Sequence, residues 1–227
     1  MAAMTRLTKA MRMKSATPIT CLLLDIGDVL LSDGWDHHAR KRAAKKFRLE
    51  FAAMEERHQM TFETFEDGKL TMGEYLDLVV FYEMRPFTRA QFRQFMFAQS
   101  RACPGMIGLF AKIKARHRLK IIALSNEARE LNAYRIHKFK LNKLMDAFVS
   151  SCFVQIRKPD TAIFRLALDV AQAPIRQIVY IDNTPMFVDV AESLGIQSIL
   201  HTDHESTCAK LHALGLYNAE GGSYGTS

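Results

Sequence analysis

The chain has 227 residues, 48% of them hydrophobic and 24% charged, enough for one large domain, or a domain with an insert, that buries its own core. No apolar run nears the ~18 residues of a membrane span, and Cys21, Cys103, Cys152 and Cys208 form no CxxC pair, which excludes a membrane helix, a zinc knuckle and a disulfide framework. The net charge of +7, with no zinc finger, recognition helix or aromatic-interleaved basic motif, favours a small anionic substrate over nucleic acid.

In chain order, residues 1–17 carry Arg6, Lys9, Arg12 and Lys14 without an apolar core segment, so they read as a disordered tail and not as a secretory signal. Ile19–Leu24 follows as a buried strand that runs into Asp25, Gly27 and Asp28. From about Asp33 to Ala102 the texture changes to Phe, Met, Arg, Lys and Glu at helical spacing, broken near Gly68 and Pro86. Residues 34–102 therefore read as an inserted all-helical module. Its stretch Ala39–Arg48 reads as a solvated basic face.

Pro104-Gly105 returns the chain to an α/β pattern. Met106–Arg116, Ala162–Ala171 and Val188–Leu194 have helical apolar spacing, while Lys120–Leu124, Gln177–Ile181 and Ile196–Leu200 are strand-like runs of Ile, Leu and Val. Phe148–Phe153 reads as a further short strand. Strands alternating with helices predict an α/β fold: a doubly wound, mostly parallel, Rossmann-like sheet, with residues 18–33 and 103–216 as its core. Residues 217–227 read as a flexible tail.

Ligands of open parallel sheets bind beyond the carboxyl ends of the strands. The residues there are Asp25, Ser125-Asn126 and Asp182-Asn183, with Arg157-Lys158-Pro159 ahead of a helix that Asp160 is placed to cap. This set suits phosphoryl transfer. Asp25 is a covalent nucleophile, Lys158 keeps it ionised, Ser125 takes a phosphoryl oxygen, and a divalent cation held by Asp25 and Asp182 offsets the repulsion between anions.

The segments LLLDIGDVL, ALSN, RKPD and VYIDN, in that order, resemble the four motifs of the haloacid dehalogenase superfamily, with the helical insert in the place of that family's cap. The glycine-containing first motif is most similar to the sugar-phosphate phosphatase subgroup. The resemblance implies a Mg²⁺-dependent phosphatase acting on a small phosphorylated metabolite, a sugar or acyl phosphate, through an aspartyl-phosphate on Asp25. It further implies that Lys158, Ser125 and Asn126 bind the phosphate, and that Asp25, the Gly27 carbonyl, Asp182 and Asn183 serve the metal. A cytoplasmic monomer or homodimer without nucleic-acid or membrane partners is the corresponding expectation.

Two positions depart from the family pattern. Gly27 stands where an acid/base Asp is usual, which predicts a preference for leaving groups that need little protonation, and Asn183 stands where a second acid is usual, which weakens cation binding. His37 and His38 are alternative proton donors near the expected mouth, and Trp35 lies at the same boundary, either lining a pocket or packing the hinge. The competing functions are a metal-free dehalogenase using the same Asp25 and a catalytically inactive relative that binds a ligand or protein.

Overall fold

The computed structural model describes residues 18–218. Five parallel strands, β1 (Cys21–Leu24), β2 (Lys120–Ser125), β3 (Ala147–Ser150), β4 (Ile178–Asp182) and β5 (Gln197–Leu200), form one sheet in the order β3-β2-β1-β4-β5. β1, β2 and β4 are buried on both faces, which is why they read as unbroken apolar runs. Helices cover each face, giving the doubly wound α/β fold that the sequence predicts. Alternation along the strands sends Leu22, Leu24, Ile121, Val179 and Ile181 toward α5 (Pro104–His117) and α10 (His204–Ala213). It sends Leu23, Ile122, Leu124 and Tyr180 toward α8 (Thr161–Ala171). At about 25 cal/mol per Å² of apolar surface, these two layers supply the main driving force for folding.

Between β1 and α5 lie four helices: α1 (His37–Phe47), α2 (Phe51–Glu66), α3 (Met72–Val79) and α4 (Arg89–Ala98). Their starts are written in the sequence. Asp36 and Glu50 accept from backbone N–H groups of α1 and α2, and Thr71–Glu74 and Thr88–Gln91 form reciprocal capping boxes. The four helices close over a core of Trp35, Met54, Phe65, Met72, Tyr75, Phe92 and Met96, to which Leu131 of α6 (Arg129–Lys138) and Ala128 just before it add.

The expected strand at Phe148–Phe153 is shorter. β3 ends at Ser150 and Ser151–Val154 turns into a single helical turn, α7, because Ser151 leaves the sheet to meet the insert, donating its hydroxyl to the Glu66 carbonyl (2.6 Å). The remaining helix of the sheet domain, α9 (Pro185–Ser193), starts on a proline that needs no N–H partner. The tails expected at 1–17 and 217–227 lie outside the described residues except for Tyr217 and Asn218, and Tyr217 packs on the sheet core.

Two linkers join insert and sheet, and they run side by side. The Ser32 N–H donates to the Arg101 carbonyl (2.8 Å), and the Arg101 N–H donates to the Ser32 hydroxyl (3.0 Å). Arg135 of α6, 1% exposed, spans both linkers. Its guanidinium donates to the carbonyls of Ser32 and Asp33, to the Ser100 hydroxyl and to the Glu127 carboxylate. Gly34 is required at this crossing. It has φ +85°, and a Cβ there would stand 2.7 Å from the Arg135 guanidinium.

Candidate active site

Strand order reverses at β1, so β1 and β4 are neighbours and their carboxyl ends open one crevice. The chain stays tied there, the Asp25 N–H donating to the Ile181 carbonyl (2.9 Å). The crevice has a volume of about 200 Å³, and its walls include Asp25, Gly27, Asp28, Asp33, Glu127 and Lys158.

At its floor the Lys158 ammonium, 1% exposed, donates to Asp25 Oδ1 (2.9 Å), Asp182 Oδ2 (2.6 Å) and the Tyr180 hydroxyl (3.3 Å). Tyr180 in turn donates to Asp182 Oδ2, and the Thr184 N–H donates to Asp182 Oδ1 (2.7 Å). One ammonium thus faces two carboxylates, and a negative charge is left over. Burial, reinforced by Asp182, pushes the Asp25 carboxyl up to about 7 despite Lys158. The Lys158 ammonium lies above the ordinary lysine range, because the two carboxylates outweigh the burial that disfavours its charge.

The structure distributes the expected site residues unevenly. Asp25 and Lys158 meet as the resemblance implies. Asp182 joins them, but both its oxygens are taken by Lys158, Tyr180 and Thr184 and it does not line the crevice. Its place is beneath the lysine, and Asn183 is the neighbour that reaches the crevice wall. Asn126 has its amide spent on holding the lysine loop: it donates to the Lys158 carbonyl (2.9 Å) and accepts from the Lys158 N–H (2.8 Å). Asn126 also lines the crevice itself. The Ser125 hydroxyl is buried without a partner among the described residues.

His37 pairs with Glu55 (3.3 Å) and lines a second cavity of about 220 Å³ above the crevice, and His38 is exposed. Neither imidazole lines the crevice. Trp35 does both things that its position suggests, lining that upper cavity and packing the insert core with its indole N–H on the Tyr75 hydroxyl (2.8 Å). The two cavities share Asp33, Glu66, Asn126 and Glu127.

Several site residues escaped the sequence reading. Tyr180 had a usable signal, since residues two apart on a strand share a face and so share Lys158. Asp33, Glu66 and Glu127 line the crevice through tertiary packing, which no local pattern announces.

The crevice tests well for a divalent cation. Its walls carry five carboxylates (Asp25, Asp28, Asp33, Glu66, Glu127) against Arg157 and Lys158; Asp25, Glu66 and Glu127 are paired with Lys158, Arg157 and Arg135, which leaves Asp28 and Asp33 without an ion-pair partner among the described residues. Among the described residues no three His, Cys, Asp or Glu side chains form a closed ligand set. Mg²⁺ does not require such a set, since it binds through one or two carboxylates and keeps waters or substrate oxygens for the rest.

Three comparisons bear on identity. A 188-residue stretch is 27% identical to drimenol cyclase drtB of Aspergillus calidoustus, covering 80% of this chain but 34% of that protein, so the chain spans about a third of its relative's length. The fold is similar to a haloacid dehalogenase-family enzyme of Bacteroides thetaiotaomicron crystallised with magnesium and inorganic phosphate (TM-score 0.69, 22% identity, 81% of this chain and 94% of that one). It is also similar to the L-2-haloacid dehalogenase of Xanthobacter autotrophicus with chloropropionic acid covalently bound (TM-score 0.58, 14% identity, 86% and 83%). The family-wide pattern of haloacid dehalogenase-like hydrolases matches residues 19–195, and with that match over most of its length the chain belongs to this hydrolase family.

Proposed function

We propose that the chain is a Mg²⁺-assisted phosphatase that transfers the phosphoryl group of a small monoester to Asp25 and then to water. The observation that carries this reading is the crowding of carboxylates at the crevice. The lysine beside Asp25 and the arginine above it are both already neutralised. A haloacid would bring its own carboxylate to this acidic wall, where the lining lysine and arginine among the described residues are already paired. A phosphate monoester arrives with a cation, and the wall then becomes an asset.

Asp25 Oδ2 and the Asn183 amide, with the Gly27 carbonyl as the family resemblance implies, would hold Mg²⁺, which supplies charge neutralisation of the nucleophile and of the phosphoryl oxygens. Lys158 orients Asp25 through Oδ1 and leaves Oδ2 toward the crevice. Asp182 and Tyr180 fix the ammonium from below. The unpartnered Ser125 hydroxyl is a donor that a phosphoryl oxygen would satisfy. Asn126 keeps the lysine loop in register.

The organic part of the ester would extend into the upper cavity beside Trp35, Phe62, Phe65 and Leu131, under a helical insert acting as a cap that excludes water. Two polar side chains there, Arg40 and His58, are already paired to Glu55 and Tyr75. The rest of the lining is mixed, with Asp33, Asp36, His37 and Arg135 beside the aromatic side chains, so the cavity suits a polar group as well as an apolar one; the relative's name, drimenol cyclase, adds a terpenyl phosphate to the candidates beside sugar and acyl phosphates.

The test is phosphate release from a panel of terpenyl, sugar and acyl phosphates and nucleotides, with and without EDTA, against Asp25→Asn. Mg²⁺-dependent release by the wild type alone is expected. Equal background rates on every ester would return the chain to the non-catalytic reading, and halide release from a haloacid in EDTA would return it to the dehalogenase reading.

A further inference from the structure

The acid/base position left empty by Gly27 is filled in space by a different residue. A Cβ built on Gly27 would lie 3.5 Å from Asp33 Oδ1 and 3.7 Å from Asp25 Oδ2. The Asp33 carboxylate therefore stands where a side chain at position 27 would project, beside the free oxygen of the nucleophile.

Asp33 is held there from both sides. Its N–H donates to Asp28 Oδ1 (2.8 Å), and its carbonyl accepts from the Arg135 guanidinium (2.7 Å). Asp28 itself sits in the left-handed region at φ 49°, a conformation that Asp tolerates better than most residues. The loop from Asp25 turns tightly, with the Leu30 and Leu31 N–H groups both on the Ile26 carbonyl (3.0 and 2.9 Å), and this brings residue 33 back over residue 27. Asp33 also borders the upper cavity, so its carboxylate lies where the two cavities meet. That is where the oxygen joining phosphorus to an organic group would pass.

We propose that Asp33 is the general acid and base of the phosphatase reaction, replacing by a long-range contact the residue that Gly27 lacks. This rests on the phosphatase reading above. As Asp25 attacks phosphorus, the bond from phosphorus to the ester oxygen breaks, and that oxygen takes the Asp33 proton and leaves as an alcohol. In the second half, Asp33 takes a proton from the water whose oxygen attacks phosphorus. The bond to Asp25 breaks, and inorganic phosphate and a protonated Asp33 result. The preference for easily departing groups expected from Gly27 is then lifted, and alkyl esters become substrates.

Leaving-group dependence tests this. Asp33→Asn keeps the backbone bonds of residue 33 and should cost about 10²–10⁴-fold in kcat on an alkyl phosphate, but less than about tenfold on p-nitrophenyl phosphate, whose leaving group needs little proton. Adding Gly27→Asp to Asp33→Ala should restore part of the alkyl-phosphate rate, because the new carboxylate grows from the same point in space. An equal fall on both esters, or an unchanged alkyl rate, overturns the proposal while leaving the phosphatase reading intact. Asp33→Glu, scored on the same ratio of rates, serves if Asp33→Asn does not fold. A wild type without activity on any ester sinks the phosphatase reading and this inference with it.

Discussion

The sheet edge and the helical insert are stabilised by different means. At the edge, Lys158 and Arg135 are almost wholly buried and each meets carboxylates in the interior. Such pairs contribute little net stability, because removing two charges from water costs about what their attraction returns. Inside the insert the work is done by aromatic and methionine side chains, as in the stacked Phe65–Tyr75 pair (4.0 Å) and the edge-on Trp35–Phe92 pair (5.8 Å). The insert spends surface area on holding itself together, while the edge spends stability on placing charge. That division is what an active site under a cap requires, and substitutions in the two regions should fail in different ways.

The largest effect is expected at the edge. Lys158→Met leaves Asp25 and Asp182 buried together without a cation, which should abolish activity and cost about 3–5 kcal/mol of stability. Urea unfolding with a Mg²⁺ titration measures both, and Mg²⁺ should recover part of the loss. A variant as stable as wild type would mean that the two carboxylates do not share a buried charge.

Next comes the clamp. Arg135→Met strands Glu127 and frees both linkers, and should cost about 3 kcal/mol, part of which Glu127→Gln restores in the double variant. Additive losses would mean that the two side chains act apart.

These two predictions rest on residues that the sequence revealed unequally. Asp25, Ser125 and Asp182 were legible because doubly buried parallel strands are unbroken apolar runs, so a polar residue ending one marks a strand tip. Lys158 was found through the RKPD pattern rather than by any strand signal. Arg135 carried no sequence signal, and Asp33 only marked where the texture of the chain changes. Their roles depend on partners such as Ser100 and Gly27 that are distant in the chain, or on a turn that folds residue 33 back. Asp182 was legible as a site residue at a strand tip, whereas the bonds its Oδ2 accepts from Tyr180 and Lys158 were not.

A smaller effect separates the regions by pH. Hydrogen bonds from Arg40 and His37 hold the Glu55 carboxyl down near 2, and burial holds the His58 imidazole down near 4. Both folded values lie below their unfolded ones. Glu55 therefore stabilises the insert above its ordinary value of 4.5 and loses that contribution as pH falls toward 2. His58 likewise loses its contribution between 6.5 and 4, as the unfolded chain takes up a proton that the folded chain refuses. Trp35, the single tryptophan, reports on the insert, so its fluorescence should change at a higher pH than the far-UV dichroism dominated by the whole chain. Glu55→Gln should remove about 1–2 kcal/mol at pH 7 and flatten the acid limb of the fluorescence curve. Coincident curves for both probes would show that insert and sheet melt as one unit.

The smallest expected change in stability lies where the regions touch. Arg157, next to Lys158, reaches up to Glu63 (2.9 Å) and Glu66 (2.8 Å) of α2, and a partly exposed pair of this kind is worth less than about 1 kcal/mol. Arg157→Gln should therefore hardly shift the unfolding midpoint. It does, however, cut an ionic tie between the lysine loop and the insert, and leaves Glu66, already raised by burial, facing the crevice alone. If the insert closes over the substrate, the closed state loses a contact that the open state does not need. KM should then rise by several-fold, with a smaller change in kcat. If the insert is a fixed wall, both constants stay within twofold of wild type. A substitution too mild to register in stability thus asks whether the two regions move.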